Sequence, residues 1–174
     1  MPRHGLGELQ KAVRQGILRF EERLKGSEMP SRALFRECIG LLISAMYVLA
    51  AQGRIAALAA MKLKDSTQLL RDGFVMSTVF KTASTFGLQP VMLPKEAASI
   101  LTSYLSVLRP AAAGNEDVEP DEPLFLKWGG CAMSKKELGQ GLTGWFRQEL
   151  EIQISPTTCR KLVETEAAAK LDEG

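Results

Sequence analysis

The sequence has little histidine and cysteine, the residues on which metal sites and many catalytic relays depend. Of its 174 residues one is a histidine, His4, and three are cysteines, Cys38, Cys131 and Cys159, with no Cys-x-x-Cys pair. This set argues against a zinc site and against a disulfide scaffold, so we expect neither a metal nor a cofactor. A single histidine also removes most Ser-His-Asp relays.

Long apolar runs are missing as well. The longest covers residues 38–51, which is 14 residues, against the roughly 20 that a membrane-spanning helix needs. We therefore interpret it as a buried core helix and expect no membrane partner. The first ten residues, MPRHGLGELQ, lack the apolar segment of a secretory signal, which predicts an intracellular protein with reduced thiols.

The overall composition is that of an ordinary globular domain. Hydrophobic residues make up 45% and charged residues 24%, and the net charge is only +2, which shows no nucleic-acid footprint. The charge is unevenly distributed, however. Residues 1–87 hold 13 Lys or Arg against 7 Asp or Glu, a net +6, whereas residues 88–174 hold 9 against 13, a net −4. A basic first half is compatible with a surface that faces DNA.

Hydrophobic spacing and turn residues predict a mostly α-helical α+β domain with one small antiparallel β-hairpin. Helices are expected at residues 8–25, at 31–51, at 55–63 with an end near Asp65 and Ser66, and from Pro94 to Leu108, where Pro110 stops the last one. Two further helices are expected from Ser134 to Leu150, opened by a capping box, and from Pro156 onwards. Strands are expected at 74–80 and 88–93. The acidic, proline-containing run 111–123 predicts a flexible surface loop.

The common enzyme signatures are absent: there is no GxSxG, no Walker-type phosphate loop, no GxGxxG and no HExxH. Isolated cations beside apolar elements stand out instead. Arg54 lies between two nearly uncharged helical segments, Lys81 lies at the turn of the predicted hairpin, and Arg160 with Lys161 begins the last helix. An anion such as phosphate is a natural partner for this set, although the pattern around each cation alone favours an ordinary exposed side chain.

The order and spacing of these cations resemble those of the tyrosine recombinases, the integrases of the lambda and Xer type. The run Gly53-Arg-Ile-Ala-Ala-Leu-Ala-Ala-Met-Lys-Leu-Lys-Asp65 resembles the family's first conserved box. Lys81 follows Arg54 by 27 residues on the predicted hairpin, where the family places a catalytic lysine. The run Ile154-Ser-Pro-Thr-Thr-Cys-Arg160-Lys-Leu-Val-Glu-Thr165 resembles the second box.

The sequence looks closer still to the Crypton-like recombinases and their domesticated, transposon-derived relatives. The matching pieces are Tyr47 with Gln52-Gly53-Arg54, Lys81-Thr82, Arg109-Pro110, and Arg160-Lys161-Leu-Val-Glu164-Thr165. Together they extend over about residues 31–170. The resemblance therefore implies an N-terminal helix and linker at residues 1–30, followed by a recombinase-like catalytic domain at 31–174.

The resemblance implies a chemistry for each cation. In this family a tyrosine attacks the scissile phosphate of DNA. Arg54 and Arg160 would neutralise the charge that develops on its oxygens, and Lys81 would protonate the leaving oxygen as general acid. Thr157 occupies the position of the usual histidine and, with Lys161, would add further phosphate contacts.

The sequence also departs from the family pattern. Ala57 stands where an acidic residue is usual, and the segment that carries the nucleophilic tyrosine would lie beyond the last residue. Tyr47 and Tyr104 fall within apolar helical patterns, which predicts packing roles. We therefore expect a truncated domain that does not cleave DNA alone and that self-associates through exposed apolar surface.

Two functions remain open at this point. The first is a nuclear domain of recombinase ancestry that binds double-stranded DNA. The second is a non-enzymatic helical module that has kept the fold and docks a partner protein on its apolar helix faces.

Overall fold

The computed structural model describes residues 5–49, 55–77, 89–114 and 118–173. The helices are α1 (Leu6–Lys25), α2 (Arg32–Val48), α3 (Ile55–Ala59), α4 (Leu63–Asp72), α5 (Ala98–Ser103), α6 (Arg109–Ala113), α7 (Lys135–Leu150) and α8 (Pro156–Glu173). A 3₁₀ turn (Lys95–Ala97) precedes α5, and a π-helical turn (Tyr104–Leu108) joins α5 to α6. The strands are β1 (Phe74–Ser77) and β2 (Gln89–Met92). A mostly helical α+β domain with a small antiparallel sheet is confirmed.

Helix α2 is the centre of the core, as its apolar sequence predicts. Its side chains are buried almost continuously from Cys38 to Val48, and helices α1, α7 and α8 all pack against it. Gly40 allows α7 to approach closely, because a Cβ at this position would lie 3.0 Å from the carbonyl oxygen of Gly141 and 3.1 Å from Cβ of Trp145. Each fully buried large aliphatic side chain stabilises such a core by about 1.5–3 kcal/mol.

The two strands pair as the predicted hairpin requires. They run antiparallel with Phe74 opposite Met92 and Val75 opposite Val91. The two valines point into the core, while Phe74 and Met92 lie on the outer face. Lys81, which the sequence places in the connection between the strands, lies outside the described residues.

The third helical region differs from its prediction. The sequence suggested one helix that ends near Asp65 and Ser66, but α3 ends at Ala59 and a separate helix, α4, contains both residues. The Asp65 carboxylate accepts a hydrogen bond from the backbone N–H of Lys62 at 2.8 Å, and the Ser66 hydroxyl donates to the Leu63 carbonyl at 2.6 Å. Asp65 satisfies a backbone N–H at the start of the helix, which is why it begins a helix here and does not end one.

Pro110 does not stop the helix that precedes it. The backbone N–H of Arg109 donates to the carbonyl of Tyr104, five residues back, and helix α6 then carries the chain past Pro110 to Ala113. The wide π turn removes the clash that a proline ring makes with the preceding turn, and Pro110 falls in the first turn of α6, where a missing N–H costs little. The segment predicted as a loop from residue 111 therefore begins as helix.

The acidic part of that segment is bound to α4. The backbone N–H groups of Leu63 and Lys64 donate to the carbonyls of Glu122 and Pro120 at 2.9 and 3.0 Å. The ammonium of Lys64 and the carboxylate of Asp121 lie 2.7 Å apart. Over residues 118–123 the chain thus provides the first turn of α4 with hydrogen-bond partners that the helix cannot supply itself.

The last two helices agree with their predictions. Ser134 and Glu137 form the predicted capping box of α7, with both reciprocal hydrogen bonds at 3.1 Å. Helix α8 begins at Pro156, as expected. Within the described ranges, no helix is long and apolar enough to cross a membrane.

Candidate phosphate-binding site

Three of the five predicted site residues lie together on helix α8. Thr157, Arg160 and Lys161 occupy its first two turns. The other two, Arg54 and Lys81, lie outside the described residues, so the predicted convergence of all five stays a prediction.

The start of α8 is anchored to the end of α7. Glu151 ends α7 in the left-handed conformation, with φ of 55°. The chain then returns along the same helix, where the Thr143 hydroxyl donates to the carbonyl of Ile154 at 3.0 Å and the Ile154 side chain is buried. Ser155 caps α8, since its hydroxyl oxygen accepts from the backbone N–H of Thr158 at 3.1 Å. The first turn of α8 is therefore fixed by the hydrogen bond between Thr143 and Ile154 before it and by the Ser155 cap at its start.

The three polar side chains share one face because they are spaced three and four residues apart. Cys159 and Val163 point the other way, into the core. Thr157 and Lys161 are exposed, and 26% of the Arg160 side chain is exposed. A hydroxyl, a guanidinium and an ammonium are thus presented at the positive end of an 18-residue helix, which is an arrangement that suits an oxyanion.

Arg160 lies between an acid on its own helix and a phenol in the core. Its Nε is 3.7 Å from a carboxylate oxygen of Glu164, one turn on. Tyr47, near the end of α2, is 2% exposed; burial raises the pKa of its hydroxyl, and the positive charge of Arg160 acts in the opposite direction. Helix α8 packs against α2, and the charge of Arg160 acts on the hydroxyl of Tyr47 near the end of α2. Because an i,i+4 pair at the surface contributes only about 0.3–0.5 kcal/mol, Glu164 leaves Arg160 available to a stronger anion.

The neighbouring thiol does not add a nucleophile. Cys159 is fully buried, and burial raises the pKa of its thiol to about 12. It is therefore protonated at neutral pH and acts as a packed apolar side chain.

Arg109, which belongs to one of the matched motifs, has a structural role. Its side chain is 2% exposed. It donates to the carbonyls of Leu124 and Pro123 at 3.1 and 2.5 Å, and it lies 3.3 Å from a carboxylate oxygen of Glu122. A guanidinium with these partners is committed to holding the chain segment before residue 125 and is closed to an external phosphate.

Both tyrosines are also structural. Tyr104 is fully buried; its hydroxyl donates to the Leu124 carbonyl at 2.8 Å and accepts from the Leu126 N–H at 3.1 Å. Burial raises the pKa of its hydroxyl. Because Tyr47 is buried as well, neither tyrosine presents its oxygen to a substrate, in agreement with the packing roles predicted from the sequence.

The sequence analysis missed two neighbours of Arg160. Glu164 could have been found, because the spacing of four residues on a helix brings the two side chains together. Tyr47 could not, since no local pattern links residues that are 113 positions apart. Across the described residues, no group of three or more His, Cys, Asp or Glu side chains could hold a metal ion.

Comparison with known proteins points to one fold. No family model matches the sequence, and no curated protein matches it either. The crystal structure of XerA recombinase is similar, with a TM-score of 0.62 and 13% sequence identity over 92% of this chain and 48% of that chain. The chain thus spans about half the length of that structure. At this identity the likeness concerns the fold, and the fold of the chain is that of a tyrosine recombinase.

Proposed function

We infer that this chain is a DNA-binding domain of tyrosine-recombinase ancestry that holds a DNA phosphate at the start of helix α8. The observation that carries the proposal is the shared face of Thr157, Arg160 and Lys161 in a recombinase-like fold. A recombinase acts on DNA, and a partly exposed guanidinium near a helix N-terminus suits the phosphate backbone.

The arginine would provide most of the affinity. Its planar guanidinium can donate two parallel hydrogen bonds to one phosphate, while its position against α2 limits the conformations lost on binding. The Thr157 hydroxyl would donate a further hydrogen bond, and Lys161 would add long-range attraction. Glu164 would be displaced or remain as a weak partner on the far side of the guanidinium.

Arg54 and Lys81 complete the proposed site. Their place in it rests on the resemblance of their sequence surroundings to the recombinase boxes. The position of Arg160 beside the end of α2 supports the assignment of Arg54, since Arg54 follows Val48 by only six residues in the sequence.

Strand cleavage by these residues is not part of the proposal. The sequence contains two tyrosines, and both are buried with their hydroxyls inside the core. The family chemistry would need a tyrosine from outside these 174 residues. Within the proposal, a Crypton-like, transposon-derived origin follows from the matched sequence pieces, and a nuclear location follows from that origin.

Binding to a fluorescently labelled duplex of about 20 base pairs, followed by anisotropy over a range of salt concentrations, tests the proposal. We expect Arg160→Ala to weaken binding about tenfold and to reduce the salt dependence by about one phosphate contact. Lys161→Ala should weaken binding about threefold. Arg147→Ala, which removes an exposed arginine from the last turn of α7, is the matched control and should change little.

Two results would overturn the proposal: no binding at low salt, or equal losses for the Arg147 and Arg160 variants. The absence of cleavage is tested separately by incubation with supercoiled DNA and denaturing electrophoresis. We expect no covalent protein–DNA adduct, and an adduct that survives in the Tyr47→Phe/Tyr104→Phe double variant would show that another residue acts as nucleophile.

A further inference from the structure

A groove of about 980 Å³ lies between the N-terminal half of α2 and helix α7. Large apolar residues line it: Trp128 and Met133 keep accessible surface, whereas Phe35, Ile39 and Trp145 are at most 6% exposed and form its packed base. Arg36 on this groove and Tyr47 beside Arg160 are eleven residues apart on α2, or about 16 Å along the helix. The groove is therefore a surface distinct from the proposed phosphate site.

A glycine on α7 keeps part of the groove open. Gly40, Gly141 and Gly144 contribute backbone without side chains to its lining. No atom lies within 4 Å of the position that a Cβ of Gly144 would occupy, so this residue faces open space. Gly40 and Gly141 pack against each other in the contact between α2 and α7, so the open space in the lining lies at Gly144.

A rigid turn presents Trp128 at the rim. The backbone N–H of Lys127 donates to the carbonyl of Cys131 at 2.7 Å, and Gly129 and Gly130 both adopt positive φ within this turn. Trp128 remains 38% exposed and packs edge-on against Phe35, with the ring centroids 5.6 Å apart. An exposed tryptophan fixed in one position is typical of the residues that dominate the binding energy of protein interfaces.

The groove has a surplus of positive charge at one end. Its three carboxylates are each paired with a cation: Glu37 with Arg23, Glu137 with Lys127 and Glu149 with Arg19. Arg32 and Arg36, one turn apart at the start of α2, also line the groove, and no ion pair joins either of them to another described residue. The unpaired charge of the groove, that of Arg32 and Arg36, is therefore positive, and a negatively charged partner would complement it.

We propose that this groove binds an amphipathic helix of a protein partner, with the apolar face of the helix on Trp128 and Gly144 and its acidic residues against Arg32 and Arg36. An apolar groove between two helices is suited to the helix-in-groove mode of recognition. A DNA backbone fits it less well, because a phosphate backbone would leave the apolar surface of Trp128 uncovered.

The rate at which the Cys131 thiol is chemically modified measures whether the groove is occupied. It lines the groove and is exposed, whereas Cys38 and Cys159 are buried and burial raises the pKa of both thiols. A maleimide should therefore modify Cys131 first.

The probe is a synthetic helical peptide of about 18 residues with leucines on one face and two glutamates at one end. At about 1 mM this peptide should slow the modification of Cys131 at least threefold.

Matched variants separate the groove from other effects. Gly144→Leu should abolish the protection by filling the groove, whereas Gly7→Leu, at an exposed glycine of α1 that also faces open space, should leave it unchanged. Arg32→Ala with Arg36→Ala should raise the peptide concentration needed for half-maximal protection about tenfold, and a peptide with glutamines in place of the glutamates should need about as much. Thermal unfolding of each variant establishes that it is folded.

The proposal is overturned by any of four results. The first two are no protection of Cys131 at 1 mM peptide and protection that Gly144→Leu does not change. The third is equal protection by duplex DNA. The fourth is protection that rises with the concentration of the protein alone, which would mean that a second copy of this chain occupies the groove. Because Arg160→Ala should leave peptide protection intact, a failure of the proposed DNA binding is distinguishable from a failure here.

Discussion

Arg109 and Arg160 are both arginines near the start of a helix, and their surroundings differ in almost every respect. Arg109 is 2% exposed and donates to two backbone carbonyls while facing Glu122. Arg160 keeps 26% of its side chain exposed and has one carboxylate at 3.7 Å. Both stand in sequence pieces that resemble recombinase motifs, but only the second has donors left over for a ligand.

The comparison shows that the partners of a cation decide its role. Removing Arg109 would leave the Pro123 carbonyl without this donor, take one of two donors from the Leu124 carbonyl, and leave a cavity in the core. Removing Arg160 would leave only a surface carboxylate, which water can solvate. We therefore expect the Arg109 region to determine stability and the Arg160 region to determine binding.

Arg109→Ala should have the largest effect. Leaving the acceptors of a buried guanidinium unpaired, together with the cavity, should reduce the free energy of unfolding by about 3–5 kcal/mol. Urea unfolding followed by circular dichroism measures the change. A loss of less than about 1 kcal/mol would mean that Arg109 is not structural.

Tyr104→Phe should have the next largest effect. The substitution keeps the ring and removes the hydroxyl that bridges Leu124 and Leu126, so we expect a loss of about 1–2 kcal/mol in the same unfolding measurement. Tyr47→Phe is a useful companion, because it changes a buried tyrosine on the Arg160 side of the molecule. An unchanged stability for Tyr104→Phe would contradict the bridge.

Arg160→Ala should hardly change stability. Its ion pair with Glu164 is of the exposed i,i+4 kind, so the free energy of unfolding should fall by no more than about 0.5 kcal/mol. A loss as large as that of Arg109→Ala would remove the distinction between the two regions. In that case reduced DNA binding by this variant would result from unfolding and not from the loss of a contact between Arg160 and DNA.

The smallest effect concerns Asp121 and Lys64, an exposed ion pair beside the Arg109 region. The hydrogen bond from Lys64 lowers the pKa of the Asp121 carboxyl, so the pair stabilises the folded state above the usual carboxylate pKa of about 4. This contribution is lost as the pH falls through the lowered pKa. The urea midpoints of wild type and Asp121→Asn should therefore differ slightly, and by the same amount, at pH 7 and pH 5. In acid the two midpoints should converge. A difference between them that persists in acid would show that the ion pair is not its cause.

Much of the fold could be predicted from periodic patterns. The apolar run of α2 and the capping box of α7 are local signals that nothing overrides, and both were confirmed. The errors arose at Asp65 and Pro110, where the same residue type is compatible with a helix start or a helix end. At Pro110 the preceding π turn allows the helix to continue, and at Asp65 the chain segment bound to α4 stabilises a helix start.

The sequence by itself determined that a hydroxyl, a guanidinium and an ammonium share a face at the start of α8, because helical spacing is local. The tertiary structure alone decided that Arg109 is committed to backbone carbonyls, that Tyr47 lies beside Arg160, and that α2 and α7 leave a groove with Arg32 and Arg36 at its end. The physical reason is that burial and pairing depend on segments distant in the chain, which no local pattern encodes.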